Sequence, residues 1–210
     1  DRIDAADIDG KRYLRIIDYK TGKKSFSFEN IFNGFQMQLP LYAKMLLEED
    51  GYRDAGIAAM EYFLAGVPEI GETGPDGEIS KEQLAKSFSR LGLYSCLPEI
   101  QRAIDNTGEK RYIGIRYKTD GTPYAGSPVA YDHEMRLLGR FVMDKTKEIV
   151  REIAGGNVKA CPMKDGINAC EYCGFGGICR FEWGKSSIRK YQKVKKGEFF
   201  DKVREEGSES

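Results

Sequence analysis

The dipeptide Asp9-Gly10 lies between two segments of strand composition, and it constrains the fold of this chain more than any other feature. Both residue types tolerate the positive φ angles of a type I′ turn, so the pair predicts a two-residue β-hairpin. With Asp9 and Gly10 at the centre of the turn, Asp1 lies directly opposite Asp18. Opposed residues of antiparallel strands hold their Cβ atoms about 5 Å apart, close enough for two carboxylates to share one hard cation.

A second aspartate at the start of the chain competes with Asp1 for this role. Asp4 falls opposite Arg15 on the other face of the hairpin, where a surface ion pair accounts for it. A β-bulge in residues 5–7 would shift the pairing and exchange the roles of Asp1 and Asp4. We prefer Asp1 as the ligand and keep Asp4 as the alternative.

Two carboxylates beside a lysine favour hydrolysis of phosphodiester bonds. Side chains alternate along a strand, so Lys20 points to the same face as Asp18. Asp1 and Asp18 would hold Mg²⁺ or Mn²⁺, which lowers the pKa of bound water and offsets charge on the phosphorus. Lys20 would orient or help to deprotonate the attacking water. By itself, however, an Asp-X-Lys triplet also fits an exposed strand end with a neutralising ion pair.

The cysteines are the second informative feature of the sequence. Four of the five lie in the segment 161–179, at Cys161, Cys170, Cys173 and Cys179. In an intracellular chain this density indicates a metal site before a disulfide. Thiolates suit both tetrahedral Zn²⁺ and an iron–sulfur cluster, and the spacing does not separate the two. Cys96 stands alone and is interpreted as a small buried hydrophobe.

The rest of the chain predicts a scaffold of interleaved helices and strands. Apolar periodicity predicts helices over residues 30–49, 81–91, 98–106 and 132–154, strands over 57–64 and 112–117, and loops over 66–77 and 121–127. Pro40 implies either a kink or a helix that begins close to it. This order indicates one α/β domain built on a mixed sheet, with a Cys-rich loop towards its C-terminal end.

The charge balance restricts how the chain would contact a nucleic acid. The formal net charge is +0, from 33 basic and 33 acidic residues, so any such contact must be local. Lys23 and Lys24 lie near the predicted centre and are the best candidates to guide a strand. The basic tail from residue 184 also carries aromatic side chains, but we interpret it as a solvated segment. No leader and no long apolar run is seen, so we expect a cytoplasmic protein with no membrane span.

Four motifs in a fixed order carry a resemblance to a known family. They are Asp-Arg-Ile-Asp at 1–4, Ile-Ile-Asp-Tyr-Lys-Thr-Gly at 16–22, Gln38-Leu-Pro-Leu-Tyr42, and Cys170-Glu-Tyr-Cys173 with Cys179. This order resembles the C-terminal nuclease domain of AddB/RexB-type ATP-dependent helicase/deoxyribonucleases, which belongs to the PD-(D/E)XK superfamily. The resemblance covers residues 1–183 and leaves 184–210 as a basic C-terminal tail. It implies a restriction-endonuclease-like mixed sheet flanked by helices.

The resemblance also implies roles for individual residues. They are metal ligands at Asp1 and Asp18, the catalytic lysine at Lys20, a Gln-X-X-X-Tyr motif near the DNA at Gln38 and Tyr42, and a [4Fe–4S] cluster on Cys170, Cys173 and Cys179. The fourth thiolate of the cluster and a further acidic or histidine ligand lie upstream of Asp1 in the family, so we expect both to be absent here. Cys161 is a possible substitute fourth ligand.

The activity implied by the resemblance is that of a Mg²⁺-dependent deoxyribonuclease of the exonuclease type. It would cut DNA strands delivered by an AddA-type helicase/nuclease partner during double-strand-break repair and recombination. Two alternatives remain open from the sequence. One is a non-catalytic DNA-binding or architectural module of a helicase–nuclease complex, and the other is a stand-alone Cas4-like or phage-type exonuclease.

Overall fold

A five-stranded mixed β-sheet with helices on both faces forms the centre of the molecule. The structure, a computed structural model, describes residues 1–22, 24–65, 90–107, 112–113, 115–124 and 126–208. The sheet has the order β1-β2-β3-β4-β5, with strands β1 Arg2–Ile8, β2 Lys11–Lys20, β3 Gly56–Leu64, β4 Leu91–Ser95 and β5 Val129–Ala130. The predicted α/β class with a mixed sheet is confirmed.

Helices of very different length surround the sheet. They are α1 Phe28–Phe32, α2 Gln38–Leu46, α3 Pro98–Ile104, α4 Asp132–Ala154, α5 Gly176–Cys179 and α6 Lys196–Ser208. A 3-10 turn covers Ala169–Tyr172, and a short parallel pair joins β6 Met163–Lys164 to β7 Arg189–Lys190. In the part of the chain that is described, no helix has both the length and the hydropathy needed to cross a membrane.

The hairpin has the predicted register. Asp9 and Gly10 have φ angles of 49° and 79°, as the positive-φ turn requires. Antiparallel pairing runs without a shift from Arg2 opposite Ile17 to Ile8 opposite Lys11. The bulge that would have exchanged Asp1 and Asp4 is therefore not present in β1. The irregularity lies instead in the parallel pairing of β2 with β3.

The predicted helix over 30–49 is two helices. Gly34 and Gln36 have φ angles of 86° and 53°, which no helical residue can adopt, and they separate α1 from α2. Pro40 lies in the first turn of α2, where the N–H that proline lacks has no intrahelical acceptor. Of the two options that Pro40 left open, the structure has a helix that begins close to it.

Three further predictions differ from, or fall outside, the described structure. The described residues of the strand predicted over 112–117 contribute isolated bridges, from Ile113 to Arg90 and from Tyr117 to Pro123. Strand β4 was not predicted, because Gly92 interrupts its apolar pattern. A Cβ at Gly92 would collide with the Met60 carbonyl on β3, so the close approach of these strands requires glycine. The predicted loop 66–77 and almost all of the predicted helix 81–91 lie outside the described residues.

The two faces of the sheet pack against different partners. One face carries Leu14 and Ile16 of β2 and packs against α2, α4 and α6 in the larger apolar cluster. The other face carries Ala59 and Tyr94 in a smaller cluster, against which Ile104 of α3 packs. Strand β3 lies between β2 and β4 and is almost completely buried, which explains why its sequence is apolar except at Glu61.

Helix α6 corrects the interpretation of the basic C-terminal segment. Phe199, Phe200 and Val203 are buried in the larger apolar cluster, while the lysines of the helix stay at or near the surface. Over residues 196–208, this segment is therefore a docked helix and not a solvated tail. The interleaved aromatic residues serve the core.

Candidate active site

The C-terminal end of strand β2 presents a carboxylate and an ammonium group side by side. Asp18 is only 1 % exposed, although it lies near the end of the strand. The Lys20 Nζ lies 2.7 Å from the Asp18 Oδ2. As strand alternation predicts, both side chains occupy the sheet face that packs against α2.

Helix α2 adds two polar side chains to this pair. The Lys20 Nζ donates a hydrogen bond to the Gln38 Oε1 at 3.1 Å, and the Gln38 Nε2 donates one to the Tyr42 hydroxyl at 3.0 Å. Gln38 and Tyr42 are one helical turn apart and share a face, which α2 turns towards the end of β2. The amide of Gln38 thus connects the strand to the helix.

Asp1 joins the same network from the open end of the hairpin. The Gln38 Nε2 lies 3.5 Å from the Asp1 Oδ2, a long contact. Asp4, the alternative ligand, instead receives two hydrogen bonds of 2.7 Å from the Arg2 guanidinium and lies opposite Arg15. The structure therefore brings Asp1, and not Asp4, towards the group around Gln38.

The surroundings of Asp18 are those of a carboxylate with an unused acceptor. Within the described part of the chain, the buried Asp18 Oδ2 accepts no hydrogen bond of normal geometry, although Lys20 is close enough for an ion pair. Tyr62 is the direct neighbour of Asp18 on β3, and burial together with the negative charge of Asp18 raises the pKa of Tyr62 to about 12. Tyr62 was missed from the sequence, because it lies in an apolar run and only the strand pairing places it here.

The donor set fits a hard divalent cation with few protein ligands. Over the residues that the structure describes, no three Cys, His, Asp or Glu side chains converge on one point. Asp1 and Asp18 would supply two carboxylate oxygens. Mg²⁺ is commonly bound in this way, through one or two carboxylates, with water and substrate phosphate filling its remaining positions.

The two predicted DNA contacts lie next to this group in sequence. Lys24 is exposed and follows the end of β2 by four residues. Lys23 lies outside the described residues. Their role in binding DNA stays a prediction.

The cysteine-rich segment does not form a ligand site as it stands. Cys170, Cys173 and Cys179 are free and exposed, and Cys161 is half-buried. Cys170 and Cys173 are joined by a backbone hydrogen bond across the 3-10 turn, and Cys179 ends the short helix α5. Within the described ranges, these three thiols do not converge with other potential ligands on one point. Cys96 is half-buried, in keeping with a packing role.

The mixed sheet, with an aspartate and a lysine at the end of β2, has the fold of the PD-(D/E)XK class. The sequence profile of the PD-(D/E)XK nuclease superfamily matches residues 1–180, and the chain belongs to this superfamily. Among curated proteins, the chain is similar to the B component of the ATP-dependent helicase/deoxyribonuclease from several bacteria.

Three of these relatives show how far the similarity extends. The protein from Lysinibacillus sphaericus (strain C3-41) is 31 % identical over 224 residues, covering 98 % of this chain and 19 % of the relative. The protein from Clostridium botulinum (strain Hall) is 34 % identical over 193 residues, covering 87 % of this chain and 16 % of the relative. The protein from Clostridium perfringens (strain SM101) is 32 % identical over 191 residues, again covering 87 % and 16 %. The resemblance inferred from the motifs is confirmed, and the chain spans between 16 % and 19 % of the length of these relatives.

Proposed function

We propose that this domain is a Mg²⁺-dependent deoxyribonuclease of the exonuclease type that acts on strands delivered by a helicase partner. The observation that carries the proposal is the single polar group formed by Asp1, Asp18, Lys20, Gln38 and Tyr42. Three separate segments of the chain contribute to it. Membership of a nuclease superfamily supports the same activity.

Each member of the group has a part in this chemistry. Asp1 and Asp18 would hold the divalent ion, which when bound supplies Lewis acidity and a more acidic water. Lys20 lies close enough to Asp18 to orient the attacking water, and its positive charge opposes the charge that develops at the phosphate. Gln38 accepts a hydrogen bond from Lys20 and so restricts the direction of the ammonium group.

The substrate is proposed from the names of the relatives and from the charge distribution. Each relative described above is named as a component of an ATP-dependent helicase/deoxyribonuclease, which supports DNA as substrate and a helicase partner. We propose that this partner is a helicase/nuclease of the AddA type. Double-strand-break repair and recombination would be the setting. The zero net charge makes bulk attraction to DNA weak, so we propose local contacts through Gln38, Tyr42 and the exposed Lys24.

The direct test is cleavage of end-labelled single-stranded DNA with Mg²⁺ by the parent chain and by Asp18→Ala. We expect Asp18→Ala to lose cleavage, since it removes the more buried of the two carboxylates. Asp7→Ala is the matched control, because Asp7 is an exposed carboxylate of the same hairpin that pairs only with Arg12 among the described residues. Equal cleavage by the parent and Asp18→Ala would refute the proposal.

A non-catalytic DNA-binding module is a distinct outcome of the same experiment. It predicts that the parent binds labelled DNA in fluorescence anisotropy while no metal supports cleavage. Such a result would replace the nuclease assignment for this chain.

The [4Fe–4S] cluster is a separate prediction for protein that includes an upstream thiolate. Cys170, Cys173 and Cys179 would supply the other three ligands, and no step proposed above depends on them. Iron and sulfide analysis of such protein tests this part, and stoichiometric zinc without iron would overturn it.

A further inference from the structure

Strand β1 is held to the sheet with very little apolar burial. It is an edge strand, most of its side chains are exposed, and its largest apolar side chain at the open end, Ile3, is 51 % exposed. The apolar pattern of a strand fixes its register when one face of the strand is buried. Because most side chains of β1 are exposed, its apolar pattern specifies the register only weakly. Yet Asp1, which the proposed function uses, directly precedes this strand.

A row of charged side chains crosses the sheet on the face opposite Asp18. We define this charge ladder as Asp4 of β1, Arg15 of β2 and Glu61 of β3. The Arg15 guanidinium donates to the Glu61 Oε1 at 2.9 and 2.5 Å, and it lies 4.0 Å from the Asp4 Oδ2. Arg2, the residue after Asp1, donates to both carboxylate oxygens of Asp4, at 2.7 Å each.

The inner end of the charge ladder is buried and rigidly surrounded. Glu61 is 0 % exposed, and burial raises its pKa above the ordinary value against the opposing charge of Arg15. A second guanidinium, that of Arg90, lies 3.5 Å from Glu61. Arg90 itself lies over the rings of Phe63 and Tyr112, at 5.7 and 5.3 Å from their centroids. Because these contacts hold Glu61 in place, Glu61 in turn fixes the position of the Arg15 guanidinium, which orients Asp4.

We infer that the charge ladder positions Asp1 for the reaction by holding the open end of β1 against β2 in the register that the Asp9-Gly10 turn sets. The inference rests on the proposed function. Arg2 pairs with Ile17, so the carboxylate of Asp1 reaches the Asp18 side only in this register. A slip of one residue would turn Asp1 to the opposite face. The same slip would separate Asp4 from Arg15, so the charge ladder opposes it. Arg15, Asp4 and Glu61 are positioning residues and touch no substrate.

The first variant removes the central charge and is matched by a control on the same two strands. Arg15→Met keeps the unbranched apolar stem of the side chain but removes the guanidinium and so breaks the charge ladder. Arg12→Met breaks the Arg12–Asp7 pair, which has two hydrogen bonds of 2.8 and 2.9 Å and lies near the turn, away from Asp1. We expect Arg15→Met to raise the Mg²⁺ concentration for half-maximal cleavage about tenfold, by displacing a metal ligand. Arg12→Met should leave it unchanged.

A double-mutant cycle separates positioning of Asp1 from a general loss of structure. Mn²⁺ binding is measured by electron paramagnetic resonance, so the readout does not depend on cleavage. We expect Arg15→Met to weaken binding about tenfold in the parent, but by less than about twofold in Asp1→Asn, where the ligand it positions is already removed. Circular dichroism checks that each protein is folded. If Arg15→Met does not fold, Glu61→Gln takes its place in the same cycle.

The outcomes distinguish this inference from the proposed function. Equal weakening by Arg15→Met in both backgrounds, or no more weakening than Arg12→Met causes, would overturn the positioning role. Failure of the proposed function is a different result, namely full cleavage by Asp18→Ala.

Discussion

Replacing Phe199 by alanine tests whether helix α6 is part of the core that supports the candidate site. Phe199 is 0 % exposed. Its ring centroid lies 5.2 to 6.1 Å from those of Phe28, Phe32, Phe141 and Phe200. These rings belong to α1, α4 and α6, so the truncation would open a cavity where three helices meet.

The expected loss follows from this burial. Truncation of a buried phenylalanine to alanine costs about 3–5 kcal/mol, since it removes transfer free energy and leaves a cavity. A change of 1 kcal/mol shifts the melting temperature by about 2–4 °C in a domain of this size, so a loss near 4 kcal/mol corresponds to about 8–16 °C. The four aromatic neighbours place Phe199→Ala towards the upper part of this range.

The assay is thermal unfolding followed by circular dichroism, supported by urea unfolding. Phe175→Ala is the control, because Phe175 is the same residue type but is 69 % exposed. Its unfolding free energy should stay within about 0.5 kcal/mol of the parent. A loss below about 1 kcal/mol in Phe199→Ala, or equal losses in the two variants, would refute the packing of α6 described above.

Two further predictions concern Lys20, the lysine of the candidate site, and the dependence of stability on pH. Lys20→Met should lower kcat for Mg²⁺-dependent DNA cleavage about 10²–10⁴-fold in single-turnover measurements, with a smaller effect on KM, because the ammonium group acts on the reacting water. The hydrogen-bonded Arg2 guanidinium holds the pKa of Asp4 below its ordinary value. The stability from this pair is therefore present above pH about 4 and is lost as pH falls through the lower folded-state pKa. Urea midpoints between pH 2 and 6 should fall less steeply with acid in Asp4→Asn than in the parent, and parallel curves would contradict this.

Local rules in the sequence predicted the elements that depend on short-range geometry. Asp9-Gly10 gave the register of the hairpin, because the turn requires positive φ at both positions and the two strands follow directly from it. The helix Asp132–Ala154 was predicted with the bounds that the structure has, because its apolar periodicity is long and is ended by Gly155. Strand alternation placed Asp18 and Lys20 on one face for the same reason.

Elements that depend on distant packing were not accessible in this way. Strand β4 contains Gly92, which weakens a strand pattern but is needed where β3 approaches closely. The lysines of α6 suggested a solvated segment, whereas Phe199 and Phe200 determine where the helix lies. Charge is easily recognised in a sequence, but the burial of a few aromatic residues depends on tertiary contacts.

The candidate site was predictable in part. The hairpin alone predicted Asp18 and Lys20 on one face, with Asp1 preferred over Asp4 as the second carboxylate. The place of Gln38 between Lys20 and Asp1 depends on how α2 packs on the sheet, and only the resemblance to a known family indicated it. On the other face of the sheet, the hairpin predicted Asp4 opposite Arg15. Glu61 had no sequence signal, because it lies in an otherwise apolar strand and is distant in sequence from Arg15.

The central claim is that Asp1 and Asp18 hold one divalent ion between them. Its most direct test is Mn²⁺ binding measured by electron paramagnetic resonance for the parent, Asp1→Asn, Asp18→Asn and the double variant. We predict one ion per parent chain, weakened binding in each single variant, and effects that do not add in the double variant because both remove the same site. A stoichiometry of two ions per chain, with a different ion lost in each single variant, would show that Asp1 and Asp18 do not share one ion. Mn²⁺ binding that is unchanged in both single variants would exclude these two residues as its ligands.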